Sequence, residues 1–238
     1  DKVEPLSIDE AFLDVSHLPC ATQAAREIKA RIFQETGLTA SAGVSVNKML
    51  AKIASDCRKP DGLFVISPKN VQRFIASLPV EKFFGVGKVT AKKMHKLGIR
   101  KGADLRRAPL PLLLRHFGKA GQNYYEYARG RDGREVQAHR IRKSLGAEET
   151  FAQDTSEPDI LSARLEDVCR KVWTRCGRAD FSGKTVTLKL KFADFKQITR
   201  SHTLPGPVSG PKQLLAVAAD ILAGVELKGR KVRLLGVT

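Results

Sequence analysis

Residues 6–15 read Leu6-Ser7-Ile8-Asp9-Glu10-Ala11-Phe12-Leu13-Asp14-Val15: a polar turn with two adjacent carboxylates runs into a short apolar strand. Outward from it, Cys20 to Thr36 places Ala24, Ile28 and Ile32 at helical spacing, predicting a helix with those residues inward that stops at Gly37. Leu38 to Val46, small and β-branched, predicts a strand, and Asn47 to Asp56 a helix with Met49, Leu50 and Ile53 inward. Gly62 to Ile66 reads as a further strand. Ser67-Pro68 then starts a helix reaching about Leu78, with proline at its first turn. The order is an alternating α/β layer.

Residues 79–130 change character: short helices broken by glycines, with no convincing strand. A polar, charged stretch at 131–140 reads as a linker. Beyond it come a strand at 142–151, a helix at 158–175, strands at 184–192 and 197–204, a helix at 211–222 and a strand at 231–237. The chain does not begin with Met, opens on a strand and ends within an alternating apolar run, so a fragment of a longer protein is expected.

Lys and Arg number 42 against 25 Asp plus Glu, a formal charge of +17 that points to a polyanion, nucleic acid first. The excess is local: residues 1–80, 81–150 and 151–238 carry +1, +10 and +6. This divides chemistry in a nearly neutral segment from polyanion grip in two basic ones. No apolar run approaches a bilayer span, and no membrane association is expected. Cys20, Cys57, Cys169 and Cys176 form no metal spacing and no framework, which fits a reducing cytoplasm. Cys169 and Cys176, with Trp173 between them, read as core packing.

Adjacent carboxylates at a strand mouth, Asp9 and Glu10, can hold Mg²⁺, which prefers oxygen ligands and keeps coordination sites for substrate phosphates. A solvated acidic turn has the same sequence. Lys48 and Lys52 share a helical face, and Arg58 and Lys59 follow the helix end, cations of the kind a triphosphate needs, or an ordinary wet lysine face. Phe83-Phe84-Gly85-Val86-Gly87-Lys88 followed by Lys92 and Lys93 has the pattern of a helix-hairpin-helix, whose glycines let backbone N–H groups reach a phosphate. A glycine-capped helix junction is the plainer alternative. Phe117-Gly118-Lys119-Ala120-Gly121 is a weaker second instance, before a helix at 122–129. In the last segment, Arg140-Ile141-Arg142-Lys143-Ser144 opens a strand, while Lys189, Lys191, Lys196 and Arg200 populate two more, a basic β platform or a solvated sheet face.

Taken together, Ser7-Ile8-Asp9-Glu10-Ala11, Ala42-Gly43-Val44, Ala51-Lys52-Ile53-Ala54-Ser55-Asp56, Lys59-Pro60-Asp61-Gly62, Gly85-Val86-Gly87-Lys88 and Arg142-Lys143-Ser144-Leu145-Gly146 resemble the Y-family translesion DNA polymerases of the bacterial DNA polymerase IV type, over almost the whole chain. The resemblance implies an α+β fold. It comprises a partial ferredoxin-like palm at 1–78, a helix-hairpin-helix thumb at 79–130, a linker at 131–140 and a β-α-β-β-α-β little finger at 141–238. It implies template-directed, error-prone synthesis past damaged bases without proofreading. Asp9 would be a shared ligand of two Mg²⁺ ions, Glu10 the neighbouring catalytic and metal-binding carboxylate near the primer 3′ end, and Lys59 a triphosphate contact. Gly85, Gly87, Lys88, Lys92, Arg142, Lys143, Ser144, Lys191 and Arg200 would contact DNA.

The implied partners are primed DNA and dNTPs, with the protein acting as a monomer. An earlier palm strand with another metal-binding Asp, a fingers region and a C-terminal tail for the sliding clamp, usual in the family, have no counterpart here. The expectation is therefore a chain that binds primed DNA but extends it poorly or not at all. The alternatives are a non-catalytic DNA-binding relative or repair accessory, which would have no use for Asp9 and Glu10, and a helix-hairpin-helix protein that only grips DNA.

Overall fold

The computed structural model describes residues 2–139 and 141–238, in two compact units, Asp1–Arg140 and Ile141–Thr238. Arg140, at the head of the expected basic strand, lies outside the described residues.

The first unit opens with a hairpin of β1 (Lys2–Pro5) and β2 (Ala11–Asp14), in register Lys2↔Asp14 through Pro5↔Ala11. Helix α1 (Ala21–Thr36) follows and ends on Gly37, whose φ of 71° gives the left-handed closure that its sequence predicts. Strands β3 (Ala42–Val44) and β4 (Leu63–Val65) pair in parallel around α2 (Lys48–Asp56). Gly43 lets helix and strand touch: a Cβ there would sit 2.1 Å from the Ala51 carbonyl oxygen. Asn47 starts α2 because its side-chain oxygen accepts the Leu50 N–H at 3.0 Å, relieving one unpaired helix donor.

After β4 the expected single helix divides. Pro68–Asn70 form one 3₁₀ turn without a Ser67 side-chain cap, and α3 (Val71–Ser77) follows. Four more helices complete the unit: α4 (Lys88–Lys96), α5 (Gly102–Arg107), α6 (Leu110–Phe117) and α7 (Lys119–Tyr127), the last starting three residues earlier than expected. One apolar core runs from Met49 and Leu50 through Ile75, Val80, Met94, Leu105 and Leu113 to Tyr127. At roughly 1.5–3 kcal/mol for each fully buried aliphatic side chain, this core dominates the unit's stability. The expectation of an inward face on α1 is corrected: none of its residues is buried, and Ile28 and Ile32 line an open groove instead.

The second unit is β5 (Ala147–Thr155), α8 (Pro158–Arg178), β6 (Thr185–Phe192), β7 (Gln197–Thr203), α9 (Pro211–Ala223) and β8 (Val232–Val237). Its four strands lie in the order β5-β8-β6-β7, all antiparallel. Leu165, Val168, Cys169 and Val172 of α8 and Leu214 and Ala218 of α9 pack with Val186, Leu188 and Leu190 in one core. The first strand begins later than its sequence predicts. Residues 142–146 alternate like a strand, but ladder pairing starts only at Ala147↔Val237, so Arg142, Lys143 and Ser144 lie exposed ahead of β5.

Candidate functional site

Asp9 and Glu10 sit on the turn of the β1–β2 hairpin, which Leu6 N–H closes by donating to the Glu10 carbonyl at 2.8 Å. Asp9 is exposed, and the Ser7 hydroxyl donates to its carboxylate at 2.6 Å. That bond, reinforced by the charges of Lys59 and Lys52, holds the Asp9 carboxyl below the ordinary Asp range. Glu10 is half-buried and accepts a hydrogen bond from Lys52. Lys59 pairs with Asp56 at 2.7 Å; this bond, and the nearby charges of Glu10 and Asp9, raise the Lys59 ammonium pKa.

The four cations expected to face a triphosphate are all engaged. Lys48, which is buried, donates to Glu4 on β1 and to the Glu135 carbonyl at 3.1 Å, and it lies 5.0 Å from the Phe12 ring centroid. The Arg58 guanidinium lies 5.4 Å from the Phe64 ring centroid. Lys48 and Lys52, one turn apart on α2, thus hold Glu4 and Glu10, and with them the hairpin that carries Asp9. The wet-lysine reading fails for Lys48, because a charge this buried needs its carboxylate partner.

Asp9, Glu10, Lys52 and Lys59 line one cavity of about 810 Å³. Ala11, Phe12 and Leu13 of β2 and Ala42, Gly43 and Val44 of β3 line it too, and each of these strands pairs on one edge only. The two carboxylates suit one Mg²⁺, which is commonly held by one or two carboxylates with substrate phosphates completing its shell. Among the described residues no three His, Cys, Asp or Glu side chains cluster as a metal site.

In the helical part, Gly85 takes φ 79° and Gly87 opens α4 with extended backbone. Neither has any atom within 4 Å of an added Cβ, so the turn is open to solvent. The Tyr124 hydroxyl donates to the Gly85 carbonyl at 3.2 Å and fixes the turn from below. Gly85, Gly87, Lys88 and Lys92 are exposed together, whereas Lys93 turns away, donating to the His116 carbonyl and lying 5.3 Å from the Phe117 ring centroid. An exposed helix start with open glycines and two lysines can bind a phosphate through backbone N–H groups and charge.

In the second unit, Thr185, Thr187, Lys189 and Lys191 share the side of β6 opposite its core residues. Their register partners Thr203, Ser201, Thr199 and Gln197 share it too, with hydroxyl pairs Thr185–Thr203 at 3.0 Å and Thr187–Ser201 at 2.8 Å. Lys189 is neutralised by Glu148 at 2.6 Å. Arg200 is not brought to this face: it pairs with Leu188, whose parity points to the helices.

Sequence reasoning missed Asp132 and Arg134, placed in a polar linker. The Asp132 side chain is 2% exposed, accepts the Met49 N–H at 2.9 Å, and holds Arg134 through two bonds of 2.8 Å. The Arg134 guanidinium lies 4.7 Å from the Phe84 centroid and 5.7 Å from that of Tyr127. The Asn47 side-chain amide donates to the Gly130 carbonyl at 2.9 Å, and Gln137 N–H to Glu4 at 2.8 Å. Residues 130–137 therefore bind the start of α2 and the hairpin. Acid and guanidinium two apart after a glycine was the available signal, but it looks like any solvated linker.

No helix among the described residues is long and apolar enough to cross a membrane. Residues 1–56 match the impB/mucB/samB family, 68–99 the IMS family HHH motif, and 142–238 the impB/mucB/samB family C-terminal domain. The DNA polymerase IV 2 of Agrobacterium fabrum is 52% identical over 240 residues, covering 99% of this chain and 67% of its own length. The DNA polymerase IV of Alkalilimnicola ehrlichii is 53% identical over 241 residues, with the same coverage. Among solved structures, a Y-family DNA polymerase chimera superposes with a TM-score of 0.89 at 28% identity, covering all of this chain and 70% of its own. The insertion ternary complex of Dbh DNA polymerase gives 0.60 at 27%, with the same coverage.

Proposed function

The chain belongs to the impB/mucB/samB family, the Y-family of translesion DNA-directed DNA polymerases; from that premise we propose how its residues divide the work. Residues 1–78 form the catalytic palm, 79–130 the thumb, 131–140 the connection and 141–238 the little finger. The observation that carries the assignment is that Asp9, Glu10, Lys52 and Lys59 line one cavity.

Asp9 and Glu10 would hold Mg²⁺, which when bound neutralises triphosphate charge and lowers the pKa of the primer 3′-hydroxyl. Lys59 binds the triphosphate of the incoming dNTP, and Asp56 keeps that ammonium oriented until it does. Glu10 orients the primer end. The Gly85 and Gly87 turn, with Lys88 and Lys92, binds backbone phosphates without reading bases. Lys191, on the open face of the little-finger sheet, and Arg142, Lys143 and Ser144, exposed ahead of it, bind phosphates in the same way; Arg200 contributes from the edge strand.

The enzyme acts as a cytoplasmic monomer on primed DNA and dNTPs. With Asp9 and Glu10 as the carboxylates proposed to hold metal, the proposal is that the 238-residue chain binds primed DNA and extends it weakly or not at all. The test is primer extension with Mg²⁺ and four dNTPs beside a DNA-binding titration of the same preparation. Binding without extension supports the proposal, and efficient extension overturns the account of the carboxylates. Failure to bind DNA removes the thumb and little-finger assignments.

A further inference from the structure

We propose that Phe195, at the tip of the β6–β7 hairpin, is a stacking platform for an unpaired nucleotide of DNA. The inference rests on the DNA-binding reading above and adds a contact that no cation supplies. In the turn, Phe195 N–H donates to the Phe192 carbonyl at 2.9 Å and Phe192 N–H to that of Lys196 at 2.8 Å. Phe195 thereby takes the left-handed position of a short hairpin loop, with φ 63°. Glycine or asparagine ordinarily fills such a position, since a Cβ there crowds the backbone. An aromatic side chain pays this steric cost without compensation from burial, because Phe195 is 63% exposed. Local strain that packing does not reward marks a position held for function.

The surroundings select the partner. The Lys191 ammonium lies 5.5 Å and the Arg233 guanidinium 4.9 Å from the centroid, over the ring, which nonetheless stays largely exposed. Arg233 is fixed by Asp154 at 3.3 Å. Lys196 stands beside Phe195, the Lys231 carbonyl accepts the Ala193 N–H of the same turn, and Arg230 packs 3.8 Å from the Phe192 centroid. Against these cations stand only Asp154 and Asp194 among the acids engaged at the tip. An exposed ring in a basic surround matches a nucleotide, whose base offers a π face and whose phosphates meet the cations. A base paired within a duplex offers no free face, so the occupant is an unpaired nucleotide, as in a template strand beyond a primer.

The test titrates the full chain, with Phe195→Ala, Phe195→Trp and Phe195→Gly variants, against a short oligothymidylate and a blunt duplex by fluorescence anisotropy. Phe195→Ala is expected to bind the single strand about tenfold more weakly and the duplex within about twofold of the parent, the loss expected for one stacked base. The salt dependence of single-strand binding stays unchanged, because no ion pair is removed. Phe195→Trp restores the affinity. Phe195→Gly raises the melting temperature while weakening single-strand binding, separating the cost of the turn from its use. Unchanged single-strand affinity in Phe195→Ala, or an equal loss on duplex and single strand, overturns the inference. If the parent chain binds neither DNA, the DNA-binding reading itself falls and this one with it.

Discussion

Lys52 donates a hydrogen bond to the Glu10 carboxylate, so the cation nearest the catalytic turn is engaged by one of the groups proposed to hold a metal ion. Metal and lysine then compete for the same oxygen. In Lys52→Gln, Mn²⁺ binding to the DNA-free chain, followed by electron paramagnetic resonance, should tighten about two- to fivefold, the scale of a half-exposed ion pair. The affinity of the DNA-bound chain for a dNTP should fall, because the triphosphate loses a nearby charge. A variant that loosened the hairpin would weaken both. Movement of the two affinities in the same direction counts against the exchange.

Gly85 and Gly87 lie two residues apart and should respond differently to a methyl group. Gly85 has φ 79°, so Gly85→Ala should lower unfolding stability by about 1–2 kcal/mol. Gly87 has extended backbone and open space around its Cβ position, so Gly87→Ala should leave the denaturation midpoint unchanged. The added methyl stands where a phosphate would approach the backbone, and DNA affinity should drop about five- to tenfold, on the scale of one lost hydrogen bond. Replacing Lys88 and Lys92 by Ala should reduce the slope of log affinity against log salt by about 2. A stable Gly87→Ala with full affinity would remove the phosphate contact from this turn.

The chain order of elements was legible because each segment's periodicity agreed with its tertiary role: Met49, Leu50 and Ile53 are buried as their spacing requires, and Val186, Leu188 and Leu190 alternate inward on β6. Where a pattern depended on a distant partner, local reading failed. Ile28 and Ile32 look inward by spacing but meet an open groove, and Arg142 to Ser144 look like a strand but have no ladder partner. Lys48 looks like a wet lysine until Glu4, 44 residues away, is placed beside it. Asp9 and Glu10 could be singled out as candidates because adjacent carboxylates at a strand mouth are a local signal. Asp132 was missed because its meaning lies in the N–H of Met49, which no local window contains.

Gly43 tests the packing beneath the site. Its absent Cβ would lie 2.1 Å from the Ala51 carbonyl oxygen and 2.3 Å from the Ser55 nitrogen, both backbone atoms of α2 that no rotamer change can move. Gly43→Ala should cost about 2–4 kcal/mol of stability, since helix and strand must separate. Gly133, with no atom near its Cβ position, is the control, and Gly133→Ala should fall within about 0.5 kcal/mol of the parent. Urea titration of both checks the pair; equal midpoints would mean that α2 does not rest on β3 as described.

Asp132 joins the same helix to the segment after α7, and pH exposes its contribution. Burial alone would raise its pKa, but the Arg134 guanidinium, with N–H groups of Arg134 and Met49, more than offsets this, and the folded value lies below the ordinary 3.8. A carboxyl with a depressed folded pKa stabilises the protein above its unfolded value, and the contribution is lost as pH falls through the folded one. The window therefore opens near pH 4 and extends downward. At pH 7, Asp132→Ala should cost about 2–4 kcal/mol, because Arg134 and the Met49 N–H lose a buried partner. Asp132→Asn keeps an acceptor and should cost less. In both variants the fall in melting temperature between pH 5 and pH 3 should be shallower than in the parent. An acid limb as steep as the parent's in Asp132→Asn would show that the carboxylate's charge is not what holds α2 to this segment.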